Sequence, residues 1–175
     1  EGFAAVQQTV GNDSLWGFIN KKGDLVVKPL FTWVGKFGSG LAPVCIGTST
    51  ENCTIGFINT SGEFEINPQY EYFEFYDSES SWGNYPQHGF FEGLARVMVD
   101  QKIGYIDSTG KMVIQPQFTY GGNFVNGLAR VTVNGKMGFI NKKGVLVVPA
   151  IYDSAFNFYQ GRAAVEVDGK WGFIS

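Results

Sequence analysis

The sequence predicts an all-β fold in which tandem units of about 34 residues, each a three-stranded antiparallel meander, follow one another as an open β-solenoid-like array. Three observations predict it. A Gly-aromatic-Ile core recurs as Gly17-Phe18-Ile19, Gly56-Phe57-Ile58, Gly104-Tyr105-Ile106, Gly138-Phe139-Ile140 and Gly172-Phe173-Ile174, each time after an apolar residue. The successive spacings are 39, 48, 34 and 34 residues, so the basic period is 34 with insertions of 5 and 14. Finally, 24 Gly and 16 Phe beside only 17% charged residues suit tight turns joining short aromatic strands and leave little for helices. A closed, propeller-like ring is the alternative, although a three-stranded unit is short for a four-stranded blade. The chain is read as one domain of residues 1–175, with units at about 1–36, 37–89, 90–123, 124–157 and a partial 158–175.

The stretch Gly127 to Pro149 shows each element of the unit in order. It holds an alternating apolar run, an Asn-Gly turn, a Gly-Phe-Ile run, a Lys-Lys-Gly turn and a β-branched run stopped by Pro. In the first strands, Ala4 and Val6, Ala42, Val44 and Ile46, Ala95, Val97 and Val99, Ala129, Val131 and Val133, and Ala163, Val165 and Val167 share one face, which should look into the core. The other face carries Arg96, Met98, Arg130, Thr132 and Glu166. A two-residue turn at Asn134-Gly135 sets Val131 opposite Gly138 and Arg130 opposite Phe139, so the glycine makes room where two sheets or units approach. The arginine then lies over the Phe ring at an exposed site, a cation–π contact of about 0.5 to 1 kcal/mol.

The second turns, Asn20 to Gly23, Asn59 to Gly62, Asp107 to Gly110 and Asn141 to Gly144, have the Asn/Asp start and Gly end of a type I turn closed by a left-handed residue. Lys21-Lys22 and Lys142-Lys143 are turn residues. The third strands should be short and end at Pro29, Pro68, Pro116 and Pro149, which cannot donate to a ladder. Beyond them, Phe31, Tyr70, Phe118 and Tyr152, then Phe37, Phe91, Phe124 and Phe158, are expected to fill the gaps between units. The insertion of five falls in the first hairpin turn of the second unit, and the insertion of 14 in the loop after its third strand.

Trp16-Gly17-Phe18-Ile19-Asn20-Lys21-Lys22-Gly23 and Asp168-Gly169-Lys170-Trp171-Gly172-Phe173-Ile174 resemble the WG repeat of bacterial proteins, and the resemblance spans essentially the whole chain. It implies repeated β modules with binding roles. The Trp stands only at Trp16 and Trp171; Ile55, Ile103 and Met137 keep the apolar slot without the indole.

The chemistry points away from catalysis. His88 is the one histidine, so no Ser-His-Asp triad can be assembled with choice, and His88 reads as a solvated loop residue. Two cysteines cannot supply the four ligands of a structural zinc site, and no metal or cofactor is expected. The carboxylates are dispersed one per turn or loop, and no phosphate-cradling glycine pattern joins a strand to a helix. A net charge of −3 without a Lys/Arg stripe argues against nucleic acid. No apolar run approaches the roughly 18 residues that cross a bilayer. The first residues already match the first strand, so any signal peptide was removed or never existed.

A non-catalytic scaffold that binds another protein or peptide is therefore the leading expectation, with a glycan or cell-wall binding module as the alternative and a structural spacer third. The loop from Asp77 to Gly89 is spared from scaffold duty and offers Trp82 and Tyr85 as anchors, with Asp77, Glu79 and His88 beside them. Arg96 and Arg130 on the repeated face are the other candidate contacts. Cys45 faces Ile55, and Cys53 has the parity of Ile55. Both sulfurs should thus lie on one side, away from the core, close enough to bridge across the widened turn. Such a bridge implies an oxidising place, the periplasm or the cell exterior.

Overall fold

The computed structural model describes residues 2–73 and 88–175, and every element among them is a strand. The first meander is β1 (Phe3–Val10), β2 (Asp13–Asn20) and β3 (Leu25–Phe31). The second has a short leading strand, β4 (Trp33–Val34), then β5 (Leu41–Ser49), β6 (Asn52–Asn59) and β7 (Phe64–Glu71). The third repeats this with β8 (Phe90–Phe91), β9 (Leu94–Val99), β10 (Lys102–Ile106) and β11 (Met112–Phe118). The fourth is β12 (Leu128–Val133), β13 (Lys136–Asn141) and β14 (Leu146–Tyr152). The last comprises β15 (Ser154–Ala155), β16 (Ala163–Val167) and β17 (Lys170–Ile174). All ladders are antiparallel, and the second and third meanders share one sheet through the pair Glu71 and Met98. No barrel closes: β1 pairs only with β2 and β17 only with β16 among the described residues.

Each meander gains a piece that periodicity did not announce. The segment before the first strand turns back on it through two residues of positive φ, at Ser39-Gly40, Glu92-Gly93, Asn126-Gly127 and Gln160-Gly161. Its backbone then bonds the first strand, for example Gly35 N to Pro43 O and Phe156 N to Ala164 O, both at 2.8 Å. The expected turns also form. Asn134-Gly135 carries φ of 51° and 78°, the signature of the primed two-residue turn, and fixes Val131 against Gly138 and Arg130 against Phe139. The Oδ1 of Asn20, Asn59, Asp107 and Asn141 accepts backbone N–H bonds from the residues two and four further on.

The third strands run on through their prolines instead of ending there. In β3 the register passes from Phe18 opposite Val27 to Trp16 opposite Phe31, so the strand bulges around Pro29. Pro68 and Pro116 sit at the same place in β7 and β11, where a missing N–H costs no ladder bond. Ala150 takes that place in β14, with Pro149 one residue earlier. The bulge explains the repeated glycine. A Cβ on Gly56, Gly104 or Gly138 would come within 2.7 Å of the third strand's backbone, and Gly17 meets Val27 O in the same way. The close approach is thus made by the unit's own third strand, not by a second sheet or unit.

The cores lie between meanders. Phe18, Val27 and Phe31 of the first pack on Ala42, Val44 and Ile58 of the second. Phe57, Ile66 and Tyr70 pack on Ala95, Val97 and Ile106. Tyr105, Ile114 and Phe118 pack on Ala129, Val131 and Ile140, and Phe139 on Ala163 and Val165. So each sheet buries an Ala/Val/Ile face against the meander before it and an aromatic face against the one after. The expectation of one core face and one solvated face fails for this reason. Phe37, Phe90, Phe124 and Phe158 stack on Phe18, Phe57, Tyr105 and Phe139 with centroids 4.8 to 5.2 Å apart. Phe90, not Phe91, therefore fills the third gap; Phe91 pairs with Leu94.

The five-residue insertion lengthens β5 and β6, which keep a tight turn between Ser49 and Asn52, rather than widening the turn itself. Cys45 and Cys53 are joined by a disulfide with Cα atoms 5.6 Å apart. Cys45 does face Ile55 as expected. Its side is not away from the core: Cys45 is fully buried among Ile55, Tyr70 and Val97, and Trp33 pairs with it.

Candidate interaction surface

The register rule that buries the aromatic face four times leaves it open once. Phe173 occupies the position of Phe18, Phe57, Tyr105 and Phe139, which are 0 to 2% exposed, yet it is itself 77% exposed. Trp171, at the position of the buried Ile55 and Ile103, is 51% exposed. Strand β16 places both: Ala164 lies opposite Phe173 and Glu166 opposite Trp171. The leading segment adds Phe156, whose ring is 5.2 Å from that of Trp171, and Tyr159, 75% exposed. Tyr159 is fixed by its paired backbone bonds with Arg162 across the Gln160-Gly161 turn. Between them lies a shallow concavity lined by Phe156, Asn157, Tyr159, Arg162, Ala164 and Phe173. An aromatic shelf on a rigid sheet, with the Arg162 cation at its rim, suits extended apolar partners better than bond-making chemistry.

The residues singled out from the sequence are placed differently. Asp77, Glu79, Trp82 and Tyr85 lie outside the described residues. His88 is not solvated: it is buried against the rings of Trp33, Tyr72 and Phe73, and its Nε2–H donates to the Phe73 carbonyl at 2.8 Å. Burial, and then the nearby Arg96 charge, push its pKa down to about 3. A neutral imidazole with this partner is a packing piece.

Arg96 and Arg130 are also buried, at 2% and 3% exposure, because their face is covered by the following segment. Arg96 Nη1 donates to Gly121 O at 3.0 Å. Arg130 Nη1 donates to Ala155 O at 2.6 Å and its Nε to Asn157 Oδ1 at 3.0 Å. Their guanidinium groups lie over Phe73 and Tyr120, not over the cross-strand Tyr105 and Phe139. The two arginines are thus staples between units and present nothing to a partner. Among the described residues no group of His, Cys, Asp and Glu could hold a metal ion, and no helix is long and apolar enough to cross a membrane.

Sequence reasoning missed the Trp171 and Phe173 shelf, although its signal was present: the fifth Gly-aromatic-Ile is followed by none of the third-strand residues that cover the others. The profile of the WG containing repeat matches residues 16–47, 55–80, 103–136 and 137–171. The chain belongs to the WG containing repeat family. No match was found among curated proteins or among solved structures. In these WG units the glycine is explained by the bulged third strand, and the Trp slot by its pairing with Phe31 or its counterparts.

Proposed function

We propose that this WG-repeat chain is a non-catalytic scaffold that binds another protein, and that the shelf of Trp171, Phe173, Phe156 and Tyr159 is where the partner docks. The observation that carries the reading is the 77% exposure of Phe173 at a position buried in every other meander. Leaving such aromatics in water forgoes burial worth on the order of 2 kcal/mol each. Exposed aromatic clusters of this kind mark interaction surfaces. A glycan-binding role is favoured by one observation, the paired rings of Phe156 and Trp171, on which a sugar could stack. The Cys45–Cys53 disulfide supports maturation in an oxidising place, the periplasm or the cell exterior.

Affinity capture with the intact chain and with a Trp171→Ser/Phe173→Ser double variant tests the reading. Both side chains are exposed, so the variant should keep its melting temperature and lose the captured protein. Capture of the same proteins in the same amounts by both would refute the shelf. Retention of soluble glycan fragments, lost in the same variant, would favour the second reading.

A further inference from the structure

We infer that β17 is a seat for an added strand, taken from a partner as an extended segment that reads Ψ-x-[Val/Ile]-x-x-x-[Phe/Tyr], with Ψ an apolar residue, and runs antiparallel to β17. The inference deepens the reading of the last meander as a binding surface and rests on it. The code comes from the four meanders that hold a third strand. There Ile19, Ile58, Ile106 and Ile140 face Leu25, Phe64, Met112 and Leu146. The neighbouring aromatic, Phe18, Phe57, Tyr105 or Phe139, faces Val27, Ile66, Ile114 or Val148. The residue in the Trp slot, Trp16, Ile55, Ile103 or Met137, faces Phe31, Tyr70, Phe118 or Tyr152. Four strands of otherwise different sequence obey one spacing because the bulge fixes where the strand resumes its register.

Strand β17 carries the same three positions as Ile174, Phe173 and Trp171, and among the described residues no strand lies on its outer edge. The glycine between them is ready for one. A Cβ on Gly172 meets nothing within 4 Å, where Gly56, Gly104 and Gly138 already touch third-strand backbone. Nothing blunts this edge: β17 holds no proline and no bulge, and its one charge is Lys170 at its start. Main-chain bonds would supply the hold, and the pockets beside Phe173 and Trp171 the selection.

The probe is a nonapeptide with the sequence of residues 145–153, Val-Leu-Val-Val-Pro-Ala-Ile-Tyr-Asp, titrated calorimetrically into the whole chain. The expected result is saturable one-to-one binding. A peptide with its tyrosine moved one position should bind at least about tenfold more weakly. The Gly172→Val chain should show the same loss at an unchanged melting temperature, because the free chain has room for the side chain while the docked strand does not. No saturation up to about 1 mM peptide, equal binding of the shifted peptide, or undiminished binding to Gly172→Val would overturn the seat. Stacking of a second copy on Trp171 and Phe173 would survive Gly172→Val and would likewise overturn it. Peptide binding lost with protein capture intact leaves the scaffold reading standing, and the reverse result removes the reading while keeping the seat.

Discussion

Replacing one glycine of the repeat by alanine should have opposite effects in the third and the last meander. At Gly104 the new Cβ would stand 2.7 Å from Ile114 O, 2.8 Å from Pro116 N and 3.1 Å from Pro116 Cα, where ordinary contact begins at 3.4 Å. All three atoms are backbone of β11, so no rotamer change relieves them, and the strand must lift off β10 along its bulge. Overpacking of this kind costs about 1 to 3 kcal/mol. The stiffer unfolded chain returns only about 0.4 to 1 kcal/mol, leaving Gly104→Ala destabilised by about 1 to 2 kcal/mol. At Gly172 nothing lies within 4 Å and φ is not positive, so only the favourable part remains. Thermal melts resolve the difference, since 1 kcal/mol moves the midpoint of a chain this size by about 2 to 4 °C. Gly104→Ala should melt lower than the parent and Gly172→Ala at or above it. Equal midpoints for the two variants would show that the third strand does not rest on the glycine, and the account of the bulge would fall with it.

Three further outcomes follow from the buried polar groups and the bridge. Arg130→Ala should lose about 3 kcal/mol of unfolding free energy by urea titration, because it strips the charged donors from Ala155 O and Asn157 Oδ1; a loss below about 1 kcal/mol would mean water replaces them. Reduction of the Cys45–Cys53 bridge closes no new contact and frees an eight-residue span, for an expected loss of about 2 to 3 kcal/mol, and titration of denatured, unreduced protein should find no free thiol. The folded pKa of His88, about 3, lies below its ordinary 6.5, so the unfolded chain binds the extra proton between those values. Its contribution is complete above pH 6.5 and is lost as pH falls toward 3, by several kcal/mol. His88→Asn should therefore lose less stability than the parent between pH 7 and pH 4, and parallel profiles for the two would contradict the burial of a neutral imidazole.

The period, the turns and the register were legible in the sequence because each is written locally. Asn134-Gly135 fixes its own hairpin, and Asn20 or Asp107 its own loop. What covers a face was not legible, because that depends on the stacking of one meander on the next. Arg96 and Arg130 alternate with Ala95 and Ala129 as surface residues of a half-buried strand would, and nothing local says that Gly121 and Ala155 carbonyls wait above them. His88 sits beside a polar insertion, so its neighbours in sequence suggest water, while Trp33, from the preceding meander, buries it. The glycine's role was half visible: the need for space could be read, but the bulge at Pro29, Pro68 and Pro116 that claims the space appears only in the ladders. The exposed Phe173 follows from the same limit, since exposure at one copy has meaning only beside four buried ones.

Because every core is shared between neighbours, no meander owns one. Interior meanders are gripped on two faces and the terminal ones on a single face, so resistance to opening should be graded along the chain. Amide hydrogens of β6 and β10 would exchange with solvent most slowly and those of β17 fastest, and pulling from the C-terminus would detach sheets one after another like plates from a stack.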